Sequence, residues 1–213
     1  MSGPHAGQPV QRAGVDPESA DVGVVLVHGR GASAASMLQF AGALDVDGVA
    51  YLAPQAARNT WYPNRFVAPI EENEPHLSSG LDVVGDTVQT LVDAGIPREK
   101  VVVGGFSQGA CLASEFVARH PQRYGGVLAL SGGLIGPEGT EFDYEGDLEG
   151  TPVFVGCDEA DPHIPLSRVH ETTAAFEALG GDVTERTYTG MGHTINEDER
   201  AFVADLLASL RTD

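Results

Sequence analysis

The stretch Val101-Val102-Val103-Gly104-Gly105-Phe106-Ser107-Gln108-Gly109-Ala110 decides how the rest of the chain is read. Its first six residues form an apolar, β-branched run of the kind found in a strand covered on both faces. Gly105 and Gly109 flank Ser107 in the pattern G-x-S-x-G, and an amphipathic helical pattern follows at once, through about Arg119. A strand that turns into a helix within two residues forces the serine between them into a strained backbone, which only small neighbours permit. Its hydroxyl then stands above the carboxyl edge of a sheet, at a helix N-terminus.

Working outward, the same alternation repeats. Val22–His28, Val49–Ala53, Gly126–Ser131, Pro152–Cys157 and Val183–Tyr188 read as further short strands. Between them lie helical stripes: Met37, Leu38, Phe40, Ala41 and Leu44 behind Ser33; Leu81, Val84, Val88, Leu91 and Val92 ending at Gly95; and Val169–Leu179, closed by Gly180-Gly181. The last helix starts near Glu197 and carries Phe202, Val203, Leu206, Leu207 and Leu210 on one face. Strands alternating with helices predict an α/β class, with a mostly parallel central sheet and helices on both faces. Val10–Val15 is expected as an edge strand. Residues 1–20 read as a partly flexible extension and 21–213 as one domain, with the first nine residues loose. Arg58–Ser79 and Gly132–Gly150 break the alternation as irregular loops too short for a large lid.

The chain has 213 residues, 31 acids and 12 bases, for a formal charge of -19. Such a surface repels phosphate, so neither nucleic acid nor an anionic membrane is an expected partner. Acid-rich, lysine-poor composition resembles that of proteins from halophiles, where molar salt screens the self-repulsion. Cys111 and Cys157 fit no disulfide framework or metal-ligand spacing; two reduced thiols and no apolar leader predict a cytoplasmic protein.

A serine hydroxyl needs a base, and the base needs an orienting acid, in the chain order Ser, Asp or Glu, His. His193, in Gly190-Met191-Gly192-His193, follows the last strand on the sheet edge that carries Ser107. His120, at a helix end before Pro121, reads as a cap, His170 falls in a helix, and His28 reads as a structural hydrogen-bonder. The loop after Pro152–Cys157 offers Asp161, held in a rigid turn by Pro162 and Ile164-Pro165, with Asp158 as the alternative acid. Asp158, Glu159, Asp161 and His163 can also be grouped as a metal site, but no complementary ligand pair is evident elsewhere, so no metal or other cofactor is expected. A tetrahedral oxyanion needs two amide donors. The N–H of Gln108, after the serine, and that of Arg30, in His28-Gly29-Arg30-Gly31, are in place for it.

These four motifs, with the elbow extended to Gly105-Phe106-Ser107-Gln108-Gly109-Ala110 and the acid loop to Asp161-Pro162-His163-Ile164-Pro165, resemble the α/β-hydrolase superfamily over roughly residues 21–210. Within it they resemble the phospholipase/carboxylesterase family, which includes bacterial carboxylesterases and acyl-protein thioesterases. The resemblance implies Ser107 as nucleophile, His193 as base, Asp161 as orienting acid and the Arg30 and Gln108 amides as oxyanion hole. The expected substrate is a small-molecule carboxylic ester or thioester, of small or medium acyl group because the short loops leave little room for a large lid, and the expected enzyme is a monomer or homodimer. The loop Trp61-Tyr62-Pro63 to Glu74 departs from the thioesterase pattern and is similar to that of small bacterial and archaeal hydrolases. Trp61, Tyr62 and Leu134 are expected as pocket walls, and Arg30 or Arg65 as partners for an acidic substrate. The competing readings are a catalytically idle binding protein, a small peptidase and a membrane-acting lipase of the same fold.

Overall fold

A computed structural model describes residues 3–212. The strands are β1 Val10–Gly14, β2 Val22–Val27, β3 Val49–Pro54, β4 Val101–Phe106, β5 Gly126–Leu130, β6 Pro152–Asp158 and β7 Asp182–Tyr188. They form a seven-stranded sheet in the order β1-β3-β2-β4-β5-β6-β7. β1 runs antiparallel to β3, and every other neighbouring pair is parallel. Five helices intervene: α1 Ala34–Gly42, α2 His76–Asp93, α3 Gln108–Arg119, α4 Leu166–Ala178 and α5 Glu197–Thr212.

The unbroken apolar runs have a simple cause. Along β2 and β4 successive side chains enter opposite cores, and both cores are closed. Val25, Val27, Val101 and Val103 pack with α2, α3 and α4, whereas Val24, Leu26 and Val102 pack with α1 and α5. A strand buried on both faces has no polar side to alternate with. Leu26, Leu128 and Phe154 are each fully buried, and every such side chain contributes about 1.5–3 kcal/mol of hydrophobic stabilisation. β1 and β7 close the sheet edges, and their residues are only partly covered.

Two expectations need correction. The described part of residues 1–20 is not a loose appendage. β1 pairs with β3 from Val10 against Pro54 to Gly14 against Ala50. His5 is 1% exposed; its Nε2–H donates to the Trp61 carbonyl at 2.8 Å, and its Nδ1 accepts from Ala57 N–H at 3.1 Å. A buried histidine with both ring nitrogens satisfied ties this segment to the domain. Met1 and Ser2, at the start of the segment read as loose, lie outside the described residues. The α2 pattern also begins earlier than its apolar stripe, at His76, because Leu77 and Gly80 are already buried in the first turns.

Gly132–Gly150 stays irregular, as expected, but is pinned from beneath. Arg168, 3% exposed on α4, donates to the carbonyls of Leu134 and Gly136 at 2.8 Å each and of Pro137 at 3.1 Å. Its guanidinium also lies over the rings of Phe142 and Phe66. Among the described residues no helix is long and apolar enough to cross a membrane.

Candidate active site

The site is assembled where β4 meets α3. Ser107 has φ 57° and ψ -121°, a region that costs an L-residue on the order of 1–3 kcal/mol. The flanking glycines are steric necessities. A Cβ on Gly105 would lie 2.4 Å from the Val27 carbonyl oxygen, and one on Gly109 would lie 2.1 Å from the same atom. Without them α3 could not start directly over the end of β2. The Ser107 N–H donates to the Leu130 carbonyl at 2.9 Å, which ties the bend to β5.

Ser107, His193 and Asp161, 86 residues apart at the extremes, come together here. His193 Nε2 is 2.8 Å from Ser107 Oγ, and His193 Nδ1 is 2.7 Å from Asp161 Oδ2. The carboxylate can only accept, so Nδ1 carries the proton and Nε2 is left to accept from the serine hydroxyl. The Asp161 side chain is fully buried, while the imidazole keeps 19% of its surface open to the cavity. The other carboxylate oxygen of Asp161 accepts the backbone N–H groups of His163 at 2.7 Å and Ile164 at 3.1 Å. The Pro162 turn therefore holds the acid through its own backbone. Phe106 and His163 flank the imidazole, with ring centroids 4.9 and 4.7 Å away.

Asp158, the alternative acid, does something else. Its Oδ2 accepts the Gly192 N–H at 2.9 Å and its Oδ1 the Ala160 N–H at 2.8 Å. The Gly192 amide, and then that of Ala160, hold its carboxyl below the usual range. Glu159 faces Thr187 and Thr189, so the grouped acids Asp158, Glu159 and Asp161 point to three separate tasks, and His163 turns to His193. Among the described residues no cluster of three or more His, Cys, Asp or Glu has an arrangement that would hold a metal ion.

The two expected amide donors lie beside the serine. Gly29 approaches so closely that a Cβ on it would be 3.2 Å from the Phe106 carbonyl oxygen and 3.3 Å from Ser107 Cβ. Among the described residues the N–H of Arg30 has no protein acceptor, whereas that of Gly31 is taken by the Asn59 carbonyl at 2.7 Å. Gln108 opens α3, where a first-turn N–H has no intrahelical partner.

A cavity of about 290 Å³ opens at the serine. Beyond the residues above, Tyr62, Arg65, Phe66, Cys111 and Ile164 line it. Trp61 and Leu134, expected as walls, do not. Both are fully buried in the core, and the Trp61 indole N–H is used on the His28 carbonyl at 2.9 Å. An indole that packs and has its donor satisfied belongs to the scaffold. Sequence reasoning missed Phe66, His163 and the Gln108 side chain. The last fixes the pocket loop, accepting from Trp61 N–H at 2.9 Å and donating to the Tyr62 carbonyl at 2.8 Å. His28 has the structural role expected, accepting from Ala56 N–H at 3.1 Å, and His120 caps α3 through the Phe116 carbonyl at 2.9 Å.

With this geometry in hand, comparison with known proteins gives one decisive match. The model of the phospholipase/carboxylesterase family matches residues 12–211. The chain belongs to that family. As a member it is an enzyme of the ester-hydrolysing class, and the match begins within β1, ahead of the 21–213 domain expected from the sequence. Among solved structures, a phospholipase/carboxylesterase from Dyadobacter fermentans is 41% identical, with a TM-score of 0.90, covering 94% of this chain and 96% of that one. The Bacillus cereus carboxylesterase shares the fold at 18% identity and a TM-score of 0.72, covering 96% and 95%. The family member is also similar to acyl-protein thioesterase 1 of Debaryomyces hansenii, 28% identical over 93% of this chain and 97% of that protein. The same protein of Kluyveromyces lactis is 32% identical over 62% of this chain, and the match spans only 59% of its length.

Proposed function

We propose that this family member is a serine hydrolase that cleaves carboxylic esters or thioesters of small or medium acyl groups through an acyl-enzyme. The observation that carries the reading is the continuous hydrogen-bond chain from Ser107 Oγ through His193 to a buried Asp161. Ser107 Oγ attacks the acyl carbon as His193 Nε2 takes its proton. Asp161 holds the imidazole in the tautomer that leaves Nε2 free and stabilises its charged form. The carbonyl oxygen, now an oxyanion, is held by the Arg30 and Gln108 amides. His193 then gives its proton to the leaving oxygen or sulfur, and the C–O or C–S bond breaks. Water attacks the acyl-serine by the same proton route, releasing the acid and restoring Ser107.

The modest cavity supports small or medium acyl groups, and its aromatic and aliphatic lining supports their apolar part. The acidic, lysine-poor composition supports work at high salt, and two free, buried cysteines support a reducing, cytoplasmic compartment; the protein is proposed to act there as a monomer or homodimer. Labelling with a fluorophosphonate, followed by a matched panel of oxygen and sulfur esters, tests the reading. Adduct on Ser107 and turnover lost in Ser107→Ala support it. An unlabelled Ser107, or a Ser107→Ala protein as active as the parent, overturns it.

A further inference from the structure

The charge of the cavity runs opposite to that of the chain. Acids outnumber bases 31 to 12 overall, yet no Asp or Glu lines the cavity, whose charged or ionisable nitrogen groups are Arg30, Arg65, His163 and His193. Asp161 lies behind His193 and is occupied by it. Among the described residues neither arginine has a carboxylate within ion-pair distance; the ion-paired arginines are Arg119, Arg168, Arg186, Arg200 and Arg211.

The two cavity arginines differ in what they have left to give. The Arg30 guanidinium spans the carbonyls of Tyr62, Pro63 and Asn64 and thereby shapes the pocket loop. Arg65 makes one bond, from Nη2 to the His163 carbonyl at 3.2 Å. Its remaining donors have no protein acceptor among the described residues, and a guanidinium fork with free edges matches a carboxylate in two parallel hydrogen bonds. An all-apolar lining would serve a neutral acyl chain better than an unpaired cation beside the reacting serine.

We infer that the substrate carries a carboxylate in addition to the scissile bond, and that Arg65 is the counter-charge that selects it. This rests on the hydrolase reading above. The chain's negative field repels such an anion at long range, but salt screens that field beyond roughly 8 Å at 0.15 M, whereas the exposed Arg65 at the cavity mouth meets a carboxylate at hydrogen-bond distance. Arg65 therefore acts on binding and orientation of the substrate; the proton transfers belong to His193.

The carboxylate can sit on the acyl chain or on the leaving group, and two matched pairs of esters separate the two. One pair is the p-nitrophenyl half-ester of glutaric acid and p-nitrophenyl butyrate; the other is the butyryl ester of p-hydroxybenzoate and that of methyl p-hydroxybenzoate. The kcat/KM of each charged ester is divided by that of its neutral partner, a ratio that does not depend on the fraction of protein folded. One charged ester is expected to exceed its neutral partner in the parent. Arg65→Gln should lower that ratio about tenfold, and Arg65→Lys should retain part of it. The ester whose ratio falls shows which side carries the anion. Ratios unchanged in Arg65→Gln, or a parent that favours the neutral ester of both pairs, overturn the inference while leaving the hydrolase intact. Failure of all four esters together with an unlabelled Ser107 overturns the hydrolase reading, and this inference with it.

Discussion

The backbone N–H of Gly192 donates to the carboxylate of Asp158 at 2.9 Å. Through it the end of β6 holds the loop that presents His193, one residue further on. Two acids three residues apart thus divide the work on one histidine. Asp161 touches its ring, and Asp158 touches the backbone of Gly192, the residue before it.

Their removal should therefore have different signatures. Asp161→Asn leaves the ring partnered by an amide that can select the wrong tautomer, and kcat should fall about a thousandfold or more with little change in KM. Asp158→Asn loosens the loop and should lower kcat less, about tenfold, while also lowering Tm. Because the Gly192 amide depresses the Asp158 carboxyl, its contribution to stability is complete above the usual carboxylate range and is lost as pH falls through the depressed value. The parent should accordingly lose more stability on acidification than Asp158→Asn does. Steady-state kinetics and thermal melts at several pH values measure both.

Ser107 carries backbone strain that alanine does not relieve and glycine does. Ser107→Gly should be more stable than Ser107→Ala by about 1 kcal/mol, since release of the left-handed conformation outweighs the added freedom of the unfolded chain. Urea titrations of the two variants give the comparison. Equal stabilities would mean that the bend is not strained.

Glu199 gives the fold a second pH dependence of opposite sign. It is fully buried in the first turn of α5, where one oxygen accepts the Asn196 N–H at 2.9 Å and the other has no partner among the described residues. Burial pushes its carboxyl up to about 7. A folded value above the unfolded one means that the native state binds the proton more tightly, so this contribution is complete below about pH 4.5 and is lost as pH rises towards 7. Over that window the loss is on the order of 2–3 kcal/mol. Glu199→Gln should flatten the slope, which urea midpoints measured between pH 5 and 8 would detect.

Salt should stabilise this protein. Most of its ion pairs have at least one partner well exposed, as in Arg186 with Asp198 and Arg200 with Glu197, and exposed pairs contribute at most about 1 kcal/mol each. Screening them costs little, while screening a charge of -19 removes repulsion throughout the surface. Tm should rise as salt increases from dilute buffer to the molar range. A Tm that falls, or does not move, would show that the pairs outweigh the repulsion.

The architecture could be read from the chain because each cause is local. Apolar runs too short for helices, stripes at helical spacing and the glycines around Ser107 each carry their meaning within a few residues. What failed did so where the partner is remote. Whether Trp61 faces a substrate or the core depends on His28, 33 residues earlier, and whether residues 3–9 are held depends on Ser79 and Trp61 receiving His5. The Pro162 turn favours Asp161 over Asp158 in the sequence, but the task of Asp158, at the end of β6, depends on a glycine 34 residues later. Only the direction in which the chain turns at Pro162 decides which carboxylate meets the imidazole and which meets the Gly192 amide. The layered α/β frame, the serine on its bend and the order of the residues around it were legible in the chain, because spacing and steric need are written in neighbouring residues. The tertiary structure alone decided the division of labour between the two acids, the cavity walls and the unpaired state of Arg65, because these depend on which side chains meet across distances the chain does not encode locally.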